Sequence, residues 1–363
     1  MKAALISLQS KSSKMVAEAM QKYFEDFESL DVRKVEVNLS GQKLEVLYEG
    51  KDFPKYDCIY TRGSFRYAPM LRALTSAMKE KVYMPINAET FTIGHDKLLT
   101  HLALQQFNIP MPKTYLTSSA AGAKKILEKI NYPIIMKFPS GTGGKGVMFA
   151  ESFAAASSMM DALESLRQPF ILQEYIETGG VDVRAIVVGG KVVASMKRKA
   201  NVGEKRSNIH AGAIGEAMQL DTHTNKMAID TAEAIGAEIC AIDILETPLG
   251  PKVIEANLSP GLQGITKATK IDVADKIAKF LYLKTKNFTT LDKKEKENKV
   301  MQELDLEPRG LTQNILTNLD FRANRILLPK IITNLTGFNE KEELLIKAQK
   351  GKLEIGKYKL GKK

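Results

Sequence analysis

Asp243, Glu255 and Asn257 put two carboxylates and an amide on runs that are otherwise apolar and β-rich, in Asp243-Ile-Leu-Glu-Thr-Pro-Leu-Gly-Pro-Lys-Val-Ile-Glu255-Ala-Asn257. The turn signal Pro248-Leu249-Gly250 predicts a hairpin, and a pivot on Leu249 sets Asp243 opposite Glu255. Side chains two apart on a strand share a face, so Asn257 joins them. Mg²⁺ takes one or two carboxylates and completes its shell with water and substrate phosphates. An all-oxygen trio without histidine therefore reads as a metal-nucleotide site. A pair of solvent-facing acids is the competing reading.

A second cluster is Tyr132-Pro-Ile-Ile-Met-Lys137-Phe-Pro-Ser-Gly141-Thr-Gly143-Gly144-Lys145-Gly146-Val-Met-Phe-Ala150: a lysine-bearing strand, a glycine loop and a short strand. Gly141, Gly143 and Gly146 have dinucleotide-fingerprint spacing, but that motif needs a helix after the loop, and Val147–Ala150 reads as strand. Walker A fails too, because no Gly-Lys-Ser/Thr closes the loop. What remains is a hairpin flap whose backbone N–H groups can close over phosphates, with Lys137 as a point charge beneath it. A plain flexible hairpin is the alternative.

The third cluster begins with the apolar strand Phe170-Ile-Leu-Gln-Glu174-Tyr175-Ile176, whose polar end can offer backbone groups to an adenine edge, with an acid beyond it for ribose hydroxyls. Asp182 and Arg184 then share a face at the mouth of a hairpin turning on Gly189-Gly190, as a ligand site or as a structural salt bridge.

The ordered set of lysine strand, glycine flap, Gln-Glu-Tyr-Ile, Asp-Val-Arg, Arg206-Ser207-Asn208-Ile-His210-Ala-Gly212, Ala-Ile-Asp243 and Glu255-Ala-Asn257-Leu-Ser-Pro-Gly261 resembles the ATP-grasp ligases, and within them the RimK group. The resemblance covers about residues 1–283. It implies that Lys97, Lys137 and flap glycines Gly143, Gly144 and Gly146 contact ATP phosphates, that Glu174, Tyr175 and Ile176 hold adenine, and that Asp182 lies on the ribose side. Arg206, Ser207 and Asn208 would face the reacting phosphate and carboxylate, Arg206 and Asn208 as catalytic groups. Asp243, Glu255 and Asn257 would be the Mg²⁺ ligands, with Mn²⁺ an alternative ion. Ala241 stands where the family commonly has glycine.

The implied reaction attacks the γ-phosphate with a carboxylate, releases ADP, and lets an amine displace phosphate from the acyl-phosphate. Such chemistry needs charge neutralisation and alignment more than acid–base groups. The planar fork of Arg206 suits oxygens of phosphate or of a tetrahedral carbon. Asn208 would serve the metal or transition-state oxygens, and His210 reads as structural or substrate-positioning rather than as a base. By resemblance the amine is an amino acid, with glutamate foremost, and the acceptor carboxylate belongs to a protein or a small molecule. The alternative class is a nucleotide-sensing regulator with a basic, nucleic-acid-binding tail.

Composition fits that frame. A chain of 363 residues, 44% of them hydrophobic, can bury two or three cores. Cys58 and Cys240 alone make neither a disulfide framework nor a zinc site. No apolar run approaches a membrane span and the start lacks a signal-peptide pattern, so a cytoplasmic protein without membrane partners is expected.

Residues 1–88 alternate strand-like runs (Ala3–Leu8, Val32–Asn38, Asp57–Thr61) with helical ones (Ser12–Phe27, Met70–Lys79), predicting a small α/β domain with a parallel sheet. Arg62 and Arg66 follow its third strand. They could grip an acceptor carboxylate there, although ordinary surface arginines are the commoner case. An ATP-grasp α+β domain pair is expected over 89–283, then a basic linker or exposed helix over 284–309.

Residues 284–363 carry 18 Lys+Arg against 11 Asp+Glu, which is +7 of the chain's +11. Within them, 310–363 loosely resemble the small AbrB-type swapped-hairpin domains: a strand ending in Leu-Pro, a short helix and two further strands. That resemblance implies a homo-oligomer formed through this segment; an extra β-hairpin docking on the same chain is the plain alternative. Nucleic-acid contact is the less favoured reading.

Overall fold

The computed structural model describes all residues except 42, 118, 142–145, 201–213, 304–319, 323–324, 340–342, 351 and 358–363. Its chain forms two compact units, Met1–Glu295 and Lys296–Lys363.

The first unit opens with β1 (Lys2–Ser7), α1 (Lys11–Met20) and β2 (Asp26–Asp31), followed by a three-stranded antiparallel meander of β3 (Val35–Ser40), β4 (Lys43–Tyr48) and β5 (Lys51–Asp52), and then β6 (Cys58–Thr61). Strands β2, β1 and β6 make the expected parallel sheet. Its second strand is 26–31, however, and not the Val32–Asn38 run, which belongs mostly to the meander; the helix expected to reach Phe27 ends at Met20. The acids of the Asp26–Asp31 run are satisfied within the sheet, because Lys2 Nζ lies 2.6 Å from Glu28 and 3.5 Å from Asp26. Asp31 then accepts from the Arg33 N–H at 2.9 Å, turning the chain out of the strand before Val35.

Helices α2 (Ala68–Met78), α3 (Ala88–Gly94) and α4 (Lys97–Gln106) lead to a four-stranded antiparallel sheet in the order β7-β10-β8-β9. It contains β7 (Thr114–Tyr115), β8 (Ile134–Lys137), β9 (Val147–Ala150) and β10 (Ile171–Glu174), with α5 (Ala120–Leu127) and α6 (Phe153–Ser165) packed on it. Ala123, Leu127, Met136, Met160 and Leu172 lie in its own small core.

The third sheet, in the order β13-β12-β11-β14-β15, is antiparallel throughout: β11 (Val181–Val188), β12 (Lys191–Lys199), β13 (Ile214–Ala217), β14 (Ile239–Leu245) and β15 (Lys252–Asn257), with α7 (Thr222–Ala234) between β13 and β14. After it come α8 (Gln263–Thr269) and α9 (Val273–Glu303), the latter a single helix through most of the stretch expected to be linker or exposed helix. One continuous hydrophobic core joins this sheet to the N-terminal parallel sheet, through residues such as Leu5, Tyr60, Ile86, Ile186 and Ile242.

In the second unit, hairpin β16 (Asp320–Arg322)–β17 (Arg325–Leu327) precedes Leu328-Pro329, α10 (Lys330–Thr336) and hairpin β18 (Leu344–Gln349)–β19 (Lys352–Lys357). Gly337, at φ +59°, ends α10 in the left-handed conformation that glycine adopts without strain. No helix among the described residues is long and apolar enough to cross a membrane.

Candidate active site

A cavity of about 430 Å³ opens between the four-stranded and five-stranded sheets. The upper sheet lends it Ile135, Lys137, Val147 and Gln173, and the lower sheet Asp182, Arg184, Arg198, Asp243, Glu255 and Asn257. Two lobes thus enclose a slot lined by both apolar and charged side chains.

The charged floor follows from strand register. Arg198 stands directly across from Asp182, Arg184 from Asp243, and Asp243 from Glu255. Arg198 donates to both Asp182 oxygens at 2.6 Å, Nε to one and Nη2 to the other. Arg184 donates to the two oxygens of Asp243 at 2.7 and 2.6 Å, and Arg198 Nη2 reaches Asp243 at 3.0 Å. The Asp182–Arg184 pair weighed from sequence is therefore replaced by a crossed arrangement, in which each arginine holds the acid on the neighbouring strand. Burial pushes the Asp243 carboxyl up, but Arg184 and Arg198 outweigh it and hold the group well below the usual carboxylate range.

Glu255 is different. No hydrogen-bond donor among the described residues reaches its side chain, and burial raises its pKa against the opposing pull of Lys97 and Lys137. Asn257 lies two residues along β15, and its Oδ1 accepts from the Ser259 N–H at 3.1 Å. The donor set of Asp243, Glu255 and Asn257 is all oxygen; Asp243 Oδ2 takes both arginines, whereas Oδ1 takes only Arg184 and keeps a second lone-pair direction. An under-satisfied carboxylate beside a charge-rich floor fits a hard divalent cation.

Above the floor, Lys137 ends β8, and its hairpin partner β9 is a strand, as the rejection of the dinucleotide motif requires. Lys137 is 5% exposed, and burial brings its ammonium down to about 8, Glu255 opposing and Lys97 assisting. Gly146 closes the flap at φ +76°, and a Cβ there would sit 2.3 Å from the Phe138 ring. Lys97 is the first residue of α4, placed there by Asp96, which accepts from the Leu98 and Leu99 N–H groups at 2.8 and 3.0 Å. Its Nζ donates to the Gly141 carbonyl at 3.0 Å and its N–H to that of Pro139 at 2.9 Å, so this lysine reaches the base of the flap.

Glu174, Tyr175 and Ile176 leave β10 along the cavity wall, and Tyr175 meets Phe149 of the flap edge-on at 5.0 Å. Gly143, Gly144, Arg206, Ser207, Asn208 and His210 lie outside the described residues.

Of the two acceptor-binding candidates, Arg66 is exposed, whereas Arg62 is no surface arginine: it is 3% exposed. Arg62 donates to the Pro260 carbonyl at 2.6 Å, the Tyr60 hydroxyl at 3.1 Å and Ser13 Oγ at 3.3 Å. It fastens the loop after β15 to the N-terminal domain, and Gly63 N–H adds a bond to Ser259 Oγ at 2.9 Å. Sequence reading missed Arg198 and Gln173, both buried and both lining the cavity. A regular hairpin turning on Gly189-Gly190 would have set Lys197 against Asp182; a register shift between Ile186 and Val187 brings Arg198 there instead, and no local pattern signals it.

Two lobes around a nucleotide-sized slot, a glycine flap with a buried lysine and an oxygen-rich floor define the ATP-grasp fold. Two solved structures share it. The ATP-grasp ligase PsnB, in complex with a phosphomimetic variant of its minimal precursor, Mg and ADP, aligns with a TM-score of 0.62 at 15% identity, over 78% of this chain and 98% of that one. A RimK domain ATP-grasp protein from Sphaerobacter thermophilus also aligns with a TM-score of 0.62, at 20% identity, over 77% and 99%. In sequence, the RimK-like ATP-grasp domain matches residues 94–281. A Thioalkalivibrio sulfidiphilus protein named "Probable alpha-L-glutamate ligase" is 34% identical over 286 residues, 77% of this chain and 95% of that protein.

The chain belongs to the RimK-like ATP-grasp family, and is an ATP-dependent carboxylate–amine ligase. ATP-grasp ligases bind ATP with Mg.

Proposed function

We propose that this enzyme activates an acceptor carboxylate with Mg-ATP and joins the amine of glutamate to it. The observation that carries the site assignment is the direct opposition of Asp243 and Glu255 on the cavity floor, beneath the buried Lys137. Asp243, Glu255 and Asn257 would hold the ion, Mg²⁺ with Mn²⁺ as a substitute, which when bound offsets the charge of the phosphates undergoing transfer.

The chain's own groups do the positioning. Glu174, Tyr175 and Ile176 border the end of the cavity that would take adenine, and Asp182 the ribose side. Lys97, Lys137 and the flap glycines Gly143, Gly144 and Gly146 would hold the phosphates. Lys97 can exchange its bond to the Gly141 carbonyl for a phosphate oxygen when the nucleotide enters. Arg206, with Ser207 and Asn208, would steady the γ-phosphate and then the oxygens of the tetrahedral carbon as the amine attacks and phosphate leaves.

Glutamate as the amine is supported by the names of the relatives, and an acceptor bearing a free carboxylate follows from the chemistry. The test is mass spectrometry of products after incubation with ATP, Mg²⁺, isotopically labelled glutamate and a cell extract. A labelled glutamyl adduct supports the reading, and its mass assigns the acceptor to a protein or a small molecule. ATP turnover with another amino acid incorporated and glutamate refused would contradict it.

A further inference from the structure

Gln173 immediately precedes Glu174–Ile176, and its side chain points into the protein, 5% exposed. Its Oε1 accepts from Lys137 Nζ at 2.8 Å, and its Nε2 donates to Thr114 Oγ1 at 2.8 Å and lies 3.5 Å from His101 Nε2. No other hydrogen-bond acceptor among the described residues reaches the Lys137 ammonium. The amide can face only one way, since a flipped amide would press its NH₂ against the ammonium.

We propose that Gln173 is a positioning residue for the lysine that binds the nucleotide's phosphates, with Thr114 orienting the amide; this rests on the phosphate role of Lys137 given above. A lysine on a flexible four-carbon stem needs an anchor to present its charge at one point. A neutral amide oxygen supplies that anchor using one of three ammonium donors, and leaves two donors and the full charge for phosphate. A carboxylate in its place would fix the lysine but cancel the charge. The same short strand thereby carries, in successive residues, the lysine's anchor and the residues bordering the adenine end.

The test is calorimetric titration of the full chain with ADP and with adenosine. Gln173→Leu is expected to weaken ADP about tenfold while leaving adenosine unchanged, the size of effect that losing a hydrogen bond to a charged group gives. Lys137→Met should weaken ADP at least as much, and the double variant should lose no more than Lys137→Met alone. Equal losses for ADP and adenosine with Gln173→Leu, or additive losses in the double variant, overturn the proposal. A loss with Lys137→Met and none with Gln173→Leu overturns the positioning role alone. No loss with Lys137→Met removes the phosphate role of the lysine and this inference with it. Should Gln173→Leu fail to fold, Thr114→Val decides: a selective loss of ADP affinity of about threefold supports the proposal, and unchanged ADP affinity overturns it.

Discussion

Asp243 and Glu255 stand opposite each other because β15 carries a bulge. Ile244 pairs with Val253 and Asp243 with Glu255, which leaves Ile254 without a cross-strand partner. A regular hairpin continued from the Leu245–Lys252 and Ile244–Val253 pairs would have set Ile254 against Asp243. The extra residue lets the chain keep Val253 buried on the core side and still deliver Glu255 to the floor of the cavity.

If Glu255 is a ligand of the catalytic ion, Glu255→Gln should preserve the fold and lower ADP formation by about 10²-fold or more, the scale of losing one transition-state electrostatic contact. Steady-state ADP release with a coupled assay, alongside a thermal melt, measures both. Unimpaired turnover would move the metal elsewhere.

Removing Arg198 should cost stability, because Asp182 has both oxygens on that guanidinium at 2.6 Å in a buried setting. Arg198→Met is expected to lose about 3–5 kcal/mol in urea unfolding, from loss of the buried guanidinium that Asp182 and Asp243 share. The double variant Asp182→Asn/Arg198→Met should recover part of that loss.

Nucleotide affinity should depend on pH through Lys137. Its ammonium is brought down to about 8, against roughly 10.4 in an unfolded chain. Below about 8 the lysine is charged in both states, and the full penalty of burying that charge is present. Between about 8 and 10.4 the unfolded chain binds more protons, so this group's contribution to stability rises with pH across that window. ADP affinity moves the other way, because the charge that attracts phosphate is lost: about tenfold weaker at pH 9 than at pH 7. Lys137→Arg should flatten that dependence in the same titrations.

Gly146→Ala should lower stability by about 1–2 kcal/mol and raise the KM for ATP, because an L side chain is strained at φ +76° and its Cβ would meet the Phe138 ring at 2.3 Å. Urea unfolding and ATP saturation curves test the two effects separately.

The sequence made some of this legible and concealed the rest for physical reasons. The Asp243–Glu255 opposition was readable from the turn at Pro248–Gly250, although the observed hairpin reaches it through a bulge. The flap was readable because Val147–Ala150 lacks any helical pattern. The exchange of partners among Asp182, Arg184, Arg198 and Asp243 was not, since it depends on the pairing of β11 with two neighbours at once. Nor was β2, whose acids look like a helix end until Lys2 is placed beside them. Arg62 reads as a surface residue in any local window, because its partner Pro260 is 198 positions away.

The central claim is that a carboxylate is activated by phosphorylation at this site. It is tested most directly by supplying glutamate and glutamate-terminated peptides labelled with ¹⁸O in their carboxyl groups, with Mg-ATP, and weighing the inorganic phosphate released. An acyl-phosphate route transfers one labelled oxygen to phosphate for each amide formed, and loses it in Glu255→Gln. Amide formation with unlabelled phosphate would contradict the account.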